Sequence, residues 1–154
     1  MLSLVVSFDQ FAATVGPRLR AGLVAAYGPE VGADATAEAL AYAWEHWQRV
    51  GDMENPAGYL YRVGQTAARR ARRPQGFLPQ PGASDLPAFE PGLLPALEAL
   101  SELQRSCVVM VHAYGWTQAE VAELLDISPS TVRTHLARGL ARLQQRLEVS
   151  RHGN

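Results

Sequence analysis

Residues 116–143, WTQAEVAELLDISPSTVRTHLARGLARL, decide how this chain is read. Thr117 followed by Glu120 is a capping box: each side chain takes up a backbone N–H that the first helical turn leaves unpaired, so a helix starts here. That helix turns Val121, Leu124 and Leu125 inward. Asp126-Ile127-Ser128 makes a short turn, with Ile127 plugging the space between helices. Ser128 caps a second helix, whose first position is Pro129, where a missing N–H costs nothing. Winding that helix at about 100° per residue puts Val132, Leu136, Leu140 and Leu143 on one side. Ser130, Thr131, Thr134 and Arg138 lie opposite, flanked by Arg133 and His135. Short hydroxyl side chains let the backbone approach phosphates, and arginines reach base edges or phosphates in a major groove. Two capped helices, a tight turn and a basic outer face together make a DNA-reading helix-turn-helix.

The rest of the chain narrows what this motif can serve. Its 154 residues suffice for one ordinary domain or two small ones. An apolar share of 47% supports packed cores and falls short of a membrane bundle. No stretch approaches the roughly 20 apolar residues of a spanning helix, so no membrane insertion is expected. The opening MLSLVVSFDQF lacks a basic start and meets Asp9 before an apolar signal region can form, which points to a cytoplasmic location. Cys107, the single cysteine, sits in the apolar run CVVMVHAYG and reads as a small buried hydrophobe. His46, His112, His135 and His152 are too scattered to hold a metal. With no Ser/His/Asp set, paired carboxylates or glycine-rich phosphate loop, neither catalytic residues nor a cofactor are expected, and the chain reads as a binding protein rather than an enzyme.

A net charge of −1 hides a strong segregation. All 14 basic residues are arginine. Residues 62–73 hold five of them and no acid, and residues 127–154 hold five against the single Glu148. The other four arginines face 14 acids. Two basic patches on an acidic body suit contact with phosphates, because local patches rather than totals set the field a polyanion meets.

Residues 74–95 carry six of the ten prolines and three glycines, without helical or strand periodicity, and read as a semi-rigid linker. They divide the chain into lobes at 1–73 and 96–150. Strand signals are absent, so the expected fold is all-α: two small helical domains. In the first lobe residues 7–26, 33–49 and 56–73 have helical spacing. The third starts cleanly, with Asn55 as N-cap and Pro56 at the first position. Leu60, Val63, Ala67 and Ala71 share one face of it, and Tyr61, Arg62, Gln65, Arg69, Arg72 and Arg73 the other. An arginine stripe with an aromatic ring suits single-stranded or melting DNA, where arginine neutralises phosphate and the ring stacks on a base. Trp44 and Trp47 read as core. In the second lobe LPALEALSELQRSCVVMVHAYG reads as one helix ending at Gly115.

The run ALSELQRSCVVMVHAYGWTQAEVAELLDISPSTVRTHLARGLARL resembles region 4 of the sigma-70 family, particularly the small extracytoplasmic-function (ECF) sigma factors. It shares their Leu-x-x-x-Gln-Arg helix, a glycine, an E-[IV]-A-x-x-L helix and a Ser-x-x-Thr-Val-[RK] helix. The first lobe resembles region 2 of that family in FDQFAATVGPRLR, ADATAEALAYAWEHW and NPAGYLYRVGQTAARRARR. Of the Glu-Asp-Leu-Val-Gln-Glu-like string usual in the family's second helix, the chain keeps Asp34 and Glu38.

The resemblance implies that Ser130, Thr131, Arg133, Thr134, His135 and Arg138 meet a −35 promoter element. It implies that Asn55, Tyr61, Arg62, Gln65, Arg69, Arg72 and Arg73 meet a −10 element, with the loop 50–55 capturing a flipped base. Asp34, Glu38 and Glu45 would bind core RNA polymerase, and an anti-sigma factor is raised as a further partner. The stretch Thr-Val-Arg-Thr-His-Leu equally matches response-regulator output domains, so a stand-alone dimeric regulator on an operator is the alternative.

Overall fold

The computed structural model describes residues 6–71 and 92–153. Every regular element among them is helical, as expected. The first lobe holds α1 (Phe8–Tyr27), α2 (Pro29–Glu45), the single turn α3 (Trp47–Val50) and α4 (Pro56–Arg70). The second holds α5 (Leu93–Glu98), α6 (Glu102–Val108) running into a π-helical turn at Val109–Ala113, α7 (Gln118–Leu125) and α8 (Pro129–His152).

Local chemistry sets most boundaries. Ser7 and Gln10 exchange capping bonds at the start of α1. Gly28, at φ 91, ends α1 and directly precedes Pro29 at the head of α2, a backbone angle that a side chain would strain. This turn brings α2 back along α1, where Gly32 lets the two backbones touch: an added Cβ there would lie 2.6 Å from Val24 Cα. Buried Ala35, Ala39 and Ala43 continue that close contact, and Leu19 and Leu23 fill the space towards α4.

Several boundaries differ from the periodicity reading. The second helix starts at Pro29 instead of 33, because a proline at the first position opens a helix before the apolar repeat begins. It breaks at His46, leaving Trp47–Val50 as a separate turn. The third ends at Arg70, and Arg72 and Arg73 lie outside the described residues. The single helix read over 94–115 is two: Ser101 and Gln104 form a capping box that starts α6 anew, and α5 begins at Leu93, inside the stretch read as linker. Most of that stretch lies outside the described residues.

Trp44 is a clear correction. It is 65% exposed, edge-on to Phe8 with ring centroids 5.3 Å apart, whereas Trp47 packs against Phe8 and Phe11. On α2 the inward arc is taken by alanines that let α1 approach closely, so Trp44 is left outside it.

The lobes share one core. α1 packs against α6 and the π-helical turn, and α4 against α7. Tyr61 of α4, Met110 of the π-helical turn and Leu124 of α7 converge on Gly22 of α1. Arg105 is buried at this seam, its Nη2 donating to the carbonyl of Ala26 at 2.7 Å.

Candidate nucleic-acid interface

The helix-turn-helix forms as its caps dictate. Thr117 Oγ1 accepts from the backbone N–H of Glu120 at 3.1 Å, and Glu120 Oε1 accepts from the N–H of Thr117 at 3.1 Å. These capping bonds hold the Glu120 carboxyl below the usual range, since they favour its charged form. Asp126 closes α7 in the left-handed region at φ 55, which an Asp tolerates better than most side chains. Ser128 Oγ accepts from the N–H of Thr131 at 3.1 Å and opens α8.

Val132 and Leu136 anchor α8 in the core, half-buried Ile127 sits in the turn, and α8 crosses α6 where Gly139 faces Val108 and Gln104. Past that crossing Leu143 still packs against the core, whereas Leu140, wound to the same side, is 37% exposed, and Val149 near the end of the helix is 68% exposed.

The outward residues of α8 are placed as the helical winding predicts. Ser130, Arg133, Thr134 and Arg138 are exposed, and Thr131 and His135 are half-buried. Thr134 Oγ1 donates back to the carbonyl of Ser130 at 3.1 Å, leaving its oxygen outward. His135 Nδ1 is buried without a hydrogen-bond partner in a side chain that is itself half-buried. Among the described residues, Arg133 and Arg138 have no carboxylate partner, and both guanidinium groups are therefore available to an external anion.

The first-lobe set is in a different state. Asn55 caps α4 with Oδ1 and donates through Nδ2 to the carbonyl of Glu123 in α7 at 2.8 Å. Arg62 pairs with Asp126 at 2.9 Å and Arg69 with Glu102 at 2.9 Å, both acids belonging to the second lobe. Gln65 is half-buried. Tyr61 is 1% exposed, with its hydroxyl buried beside Ser106 but without a hydrogen bond of good geometry. Winding alone put Tyr61 on the arginine face; the second lobe covers that part of the face and draws the ring into the shared core.

On the outward arc of α2, Asp34, Glu38 and Glu45 are all exposed, within one narrow sector of the helix. Glu38 pairs with Arg70 of α4 at 3.0 Å. Exposed Trp44 flanks the same arc.

One cluster escaped the sequence reading. Tyr42 and Tyr59 hydroxyls lie 3.2 Å apart, and the Arg49 guanidinium sits 5.9 Å from each ring centroid and donates to Tyr42. His46 stacks on Tyr42 at 4.3 Å. These residues come from three elements, and no local spacing announces them; the pairing exists only once α4 lies beside α2. Rings with an interleaved cation form a stacking surface for unpaired bases. Tyr42 and Tyr59 are half-buried and Arg49 is exposed; Arg49 comes just before the loop 51–55 in sequence and Tyr59 just after it.

Among the described residues, no group of His, Cys, Asp or Glu could hold a metal ion, and no helix is long and apolar enough to cross a membrane.

Comparison with known proteins converges with this geometry. The model for region 4 of sigma-70 matches residues 93–143. An RNA polymerase sigma-E factor of Streptomyces antibioticus is 34% identical over 121 residues, covering 72% of this chain and 67% of that protein. The ECF RNA polymerase sigma factor SigL of Mycobacterium tuberculosis is 28% identical over 136 residues, 77% of each chain. The sigma factor RpoE of Bartonella quintana, solved in complex with the anti-sigma factor NepR, superposes with a TM-score of 0.65 over 92% of this chain and 97% of that chain, at 21% identity. That last likeness is one of fold.

Proposed function

Because this chain belongs to the extracytoplasmic-function group of the sigma-70 family of RNA polymerase sigma factors, we propose that it divides promoter recognition between its two lobes. As a sigma factor it binds core RNA polymerase and promoter DNA and directs initiation. The second lobe lays the first turns of α8 in the major groove of the −35 element, with Ser130, Thr131 and Thr134 close to the backbone and Arg133, His135 and Arg138 reaching phosphates and base edges. The observation that carries this is the capped, exposed face of α8, on which Arg133 and Arg138 have no carboxylate partner among the described residues.

The first lobe meets the −10 element through Asn55, Arg62, Gln65, Arg69, Arg72 and Arg73, with Tyr61 joining them once uncovered. Tyr42, Tyr59 and Arg49 extend that surface with rings on which an unpaired base can stack. Asp34, Glu38 and Glu45 bind polymerase, and exposed Trp44 adds apolar area at the edge of that face. Residues 1–73 and 96–150 serve as the two working units, with 74–95 between them. Tethered on one enzyme, two weak readers act at a high effective concentration on two DNA elements.

Sigma factors as a class are not enzymes, and bond formation belongs to the polymerase. We place the chain in the cytoplasm, where bacterial polymerase works, and extend to it an anti-sigma partner of the kind that Bartonella quintana RpoE binds. The test is co-purification with core polymerase followed by run-off transcription on a genomic library. The expected outcome is a set of transcripts sharing two upstream elements; a chain that neither binds core nor starts transcripts refutes the reading.

A further inference from the structure

Thr134 is exposed on the outer face of α8, and its Oγ1 lies 3.1 Å from the carbonyl oxygen of Ser130, one turn earlier. A threonine hydroxyl has a single proton and a carbonyl has none to give, so that proton goes to Ser130. What is left on the outer side of Oγ1 is lone-pair density. An oxygen in this state has nothing to donate to a phosphate, which turns Thr134 from the DNA backbone to a base edge. From this bond, and resting on the promoter-reading function above, we propose that Thr134 reads the −35 element as an acceptor only. It selects a base with an exocyclic amino group, adenine or cytosine, at one position of one strand.

The major groove supplies the matching code. Adenine N6 and cytosine N4 donate there, whereas guanine O6 and thymine O4 accept. A lone pair facing a keto oxygen is repelled, so an acceptor sorts amino bases from keto bases. Arg133 and Arg138 sort the other way, since guanidinium only donates, and neither has a carboxylate partner among the described residues.

Neighbouring hydroxyls do not blur this polarity. Ser128 Oγ accepts from the N–H of Thr131 and also lies 3.0 Å from Ser130 Oγ and 2.7 Å from Thr131 Oγ1. With one proton and one lone pair left, Ser128 donates to one of these hydroxyls and accepts from the other. Two of the three protons are thus spent inside the cluster. The direction of Thr134 is held from behind: Val132 and Leu136 are buried, and Gly139 is packed against Val108 and Gln104, which fixes the rotation of α8 about its axis. Donating to a keto base would require the Ser130 bond to break, so the selectivity is that of one hydrogen bond, roughly threefold to tenfold.

The experiment uses the full chain with core polymerase on a promoter recovered by the genomic run-off screen. Its −35 element is randomised, and each template carries a barcode in the transcribed region. Wild type is compared with Thr134→Val, which keeps the branched shape and loses the hydroxyl, and with Thr134→Ser, which keeps the hydroxyl and loses the methyl group. Wild type is expected to favour adenine or cytosine over guanine and thymine at one position, by about threefold to tenfold. Thr134→Val should flatten that position alone, and Thr134→Ser should retain the preference. Thr134→Ala, which also lacks the hydroxyl, repeats the valine arm with a better helix former. The favoured base is then replaced by an analogue without the amino group, purine for adenine or 2-pyrimidinone for cytosine. Wild-type transcription should fall by the same factor, while Thr134→Val does not distinguish the two templates.

An amino preference that Thr134→Val keeps, or that both variants lose, overturns the proposal. So does a thymine preference kept by valine and lost by serine, which marks a methyl contact. A keto preference lost in Thr134→Val shows a hydroxyl donating outward, and a library profile that valine leaves unchanged shows a residue that reads no base; either result overturns it. A wild type that starts no transcripts refutes the promoter reading itself, whereas transcripts with the wrong pattern at this position remove only the polarity assigned to Thr134.

Discussion

The hydroxyl of Tyr61 has left water without finding a partner. An unpaired buried hydroxyl costs on the order of 1–3 kcal/mol, so deleting it should not weaken the fold. Tyr61→Phe is expected to leave the urea midpoint unchanged or to raise stability by up to about 1 kcal/mol; a loss larger than that would mean the oxygen is bonded. That this residue would be buried was not readable from α4 alone. The 100°-per-residue winding, about right for buried Leu60 and Ala67, assigns a side chain to a face but not to what covers the face. Arg105 shows the same gap: within a Leu-Gln-Arg string it looks like a surface charge, and its burial follows from Ala26, 79 positions away in sequence.

Helix starts were far more readable, because caps are local. Asn55, Thr117 and Ser128 each accept the N–H that their sequence context assigns them. The missed break at Ser101 had the same signature in Ser101-x-x-Gln104, hidden by apolar residues on both sides that continue a helical repeat. For α8 the consequence is functional. Arg138 is exposed and clear of the core, so Arg138→Ala should leave core-polymerase binding and melting behaviour intact and reduce promoter-dependent transcription by roughly 5–150-fold, the range of a lost base or phosphate contact of about 1–3 kcal/mol. Quantitative run-off beside a core pull-down checks it. Loss of core binding instead would move the DNA face elsewhere.

Taken together, the lobes were readable one by one and their union was not, since every seam contact joins residues far apart along the chain. The seam also concentrates groups that resist ionisation. Burial, with help from Glu102, raises the Tyr27 pKa, Arg69 acting against it; burial raises that of Tyr61; burial pushes the Cys107 thiol up to about 11. Each raised group stabilises the fold fully below its unfolded pKa and loses that contribution as pH climbs towards its folded value. Stability should therefore hold up to about pH 8.5, where an unfolded thiol begins to ionise, and fall more steeply above about pH 10, where unfolded tyrosines do. Urea midpoints between pH 7 and 11 test this, and a flat profile would contradict the burial of these groups.

The carboxylates on Arg18, Arg62 and Arg69 also bear on ion exchange. Arginines already neutralised by the chain's own acids take nothing from the cation atmosphere of DNA until those acids withdraw, and the withdrawn acids then gather cations of their own. If α8 reads DNA as proposed, the salt dependence of binding is expected to count mainly Arg133 and Arg138 and their neighbours on that helix, giving a shallower slope than 14 arginines suggest.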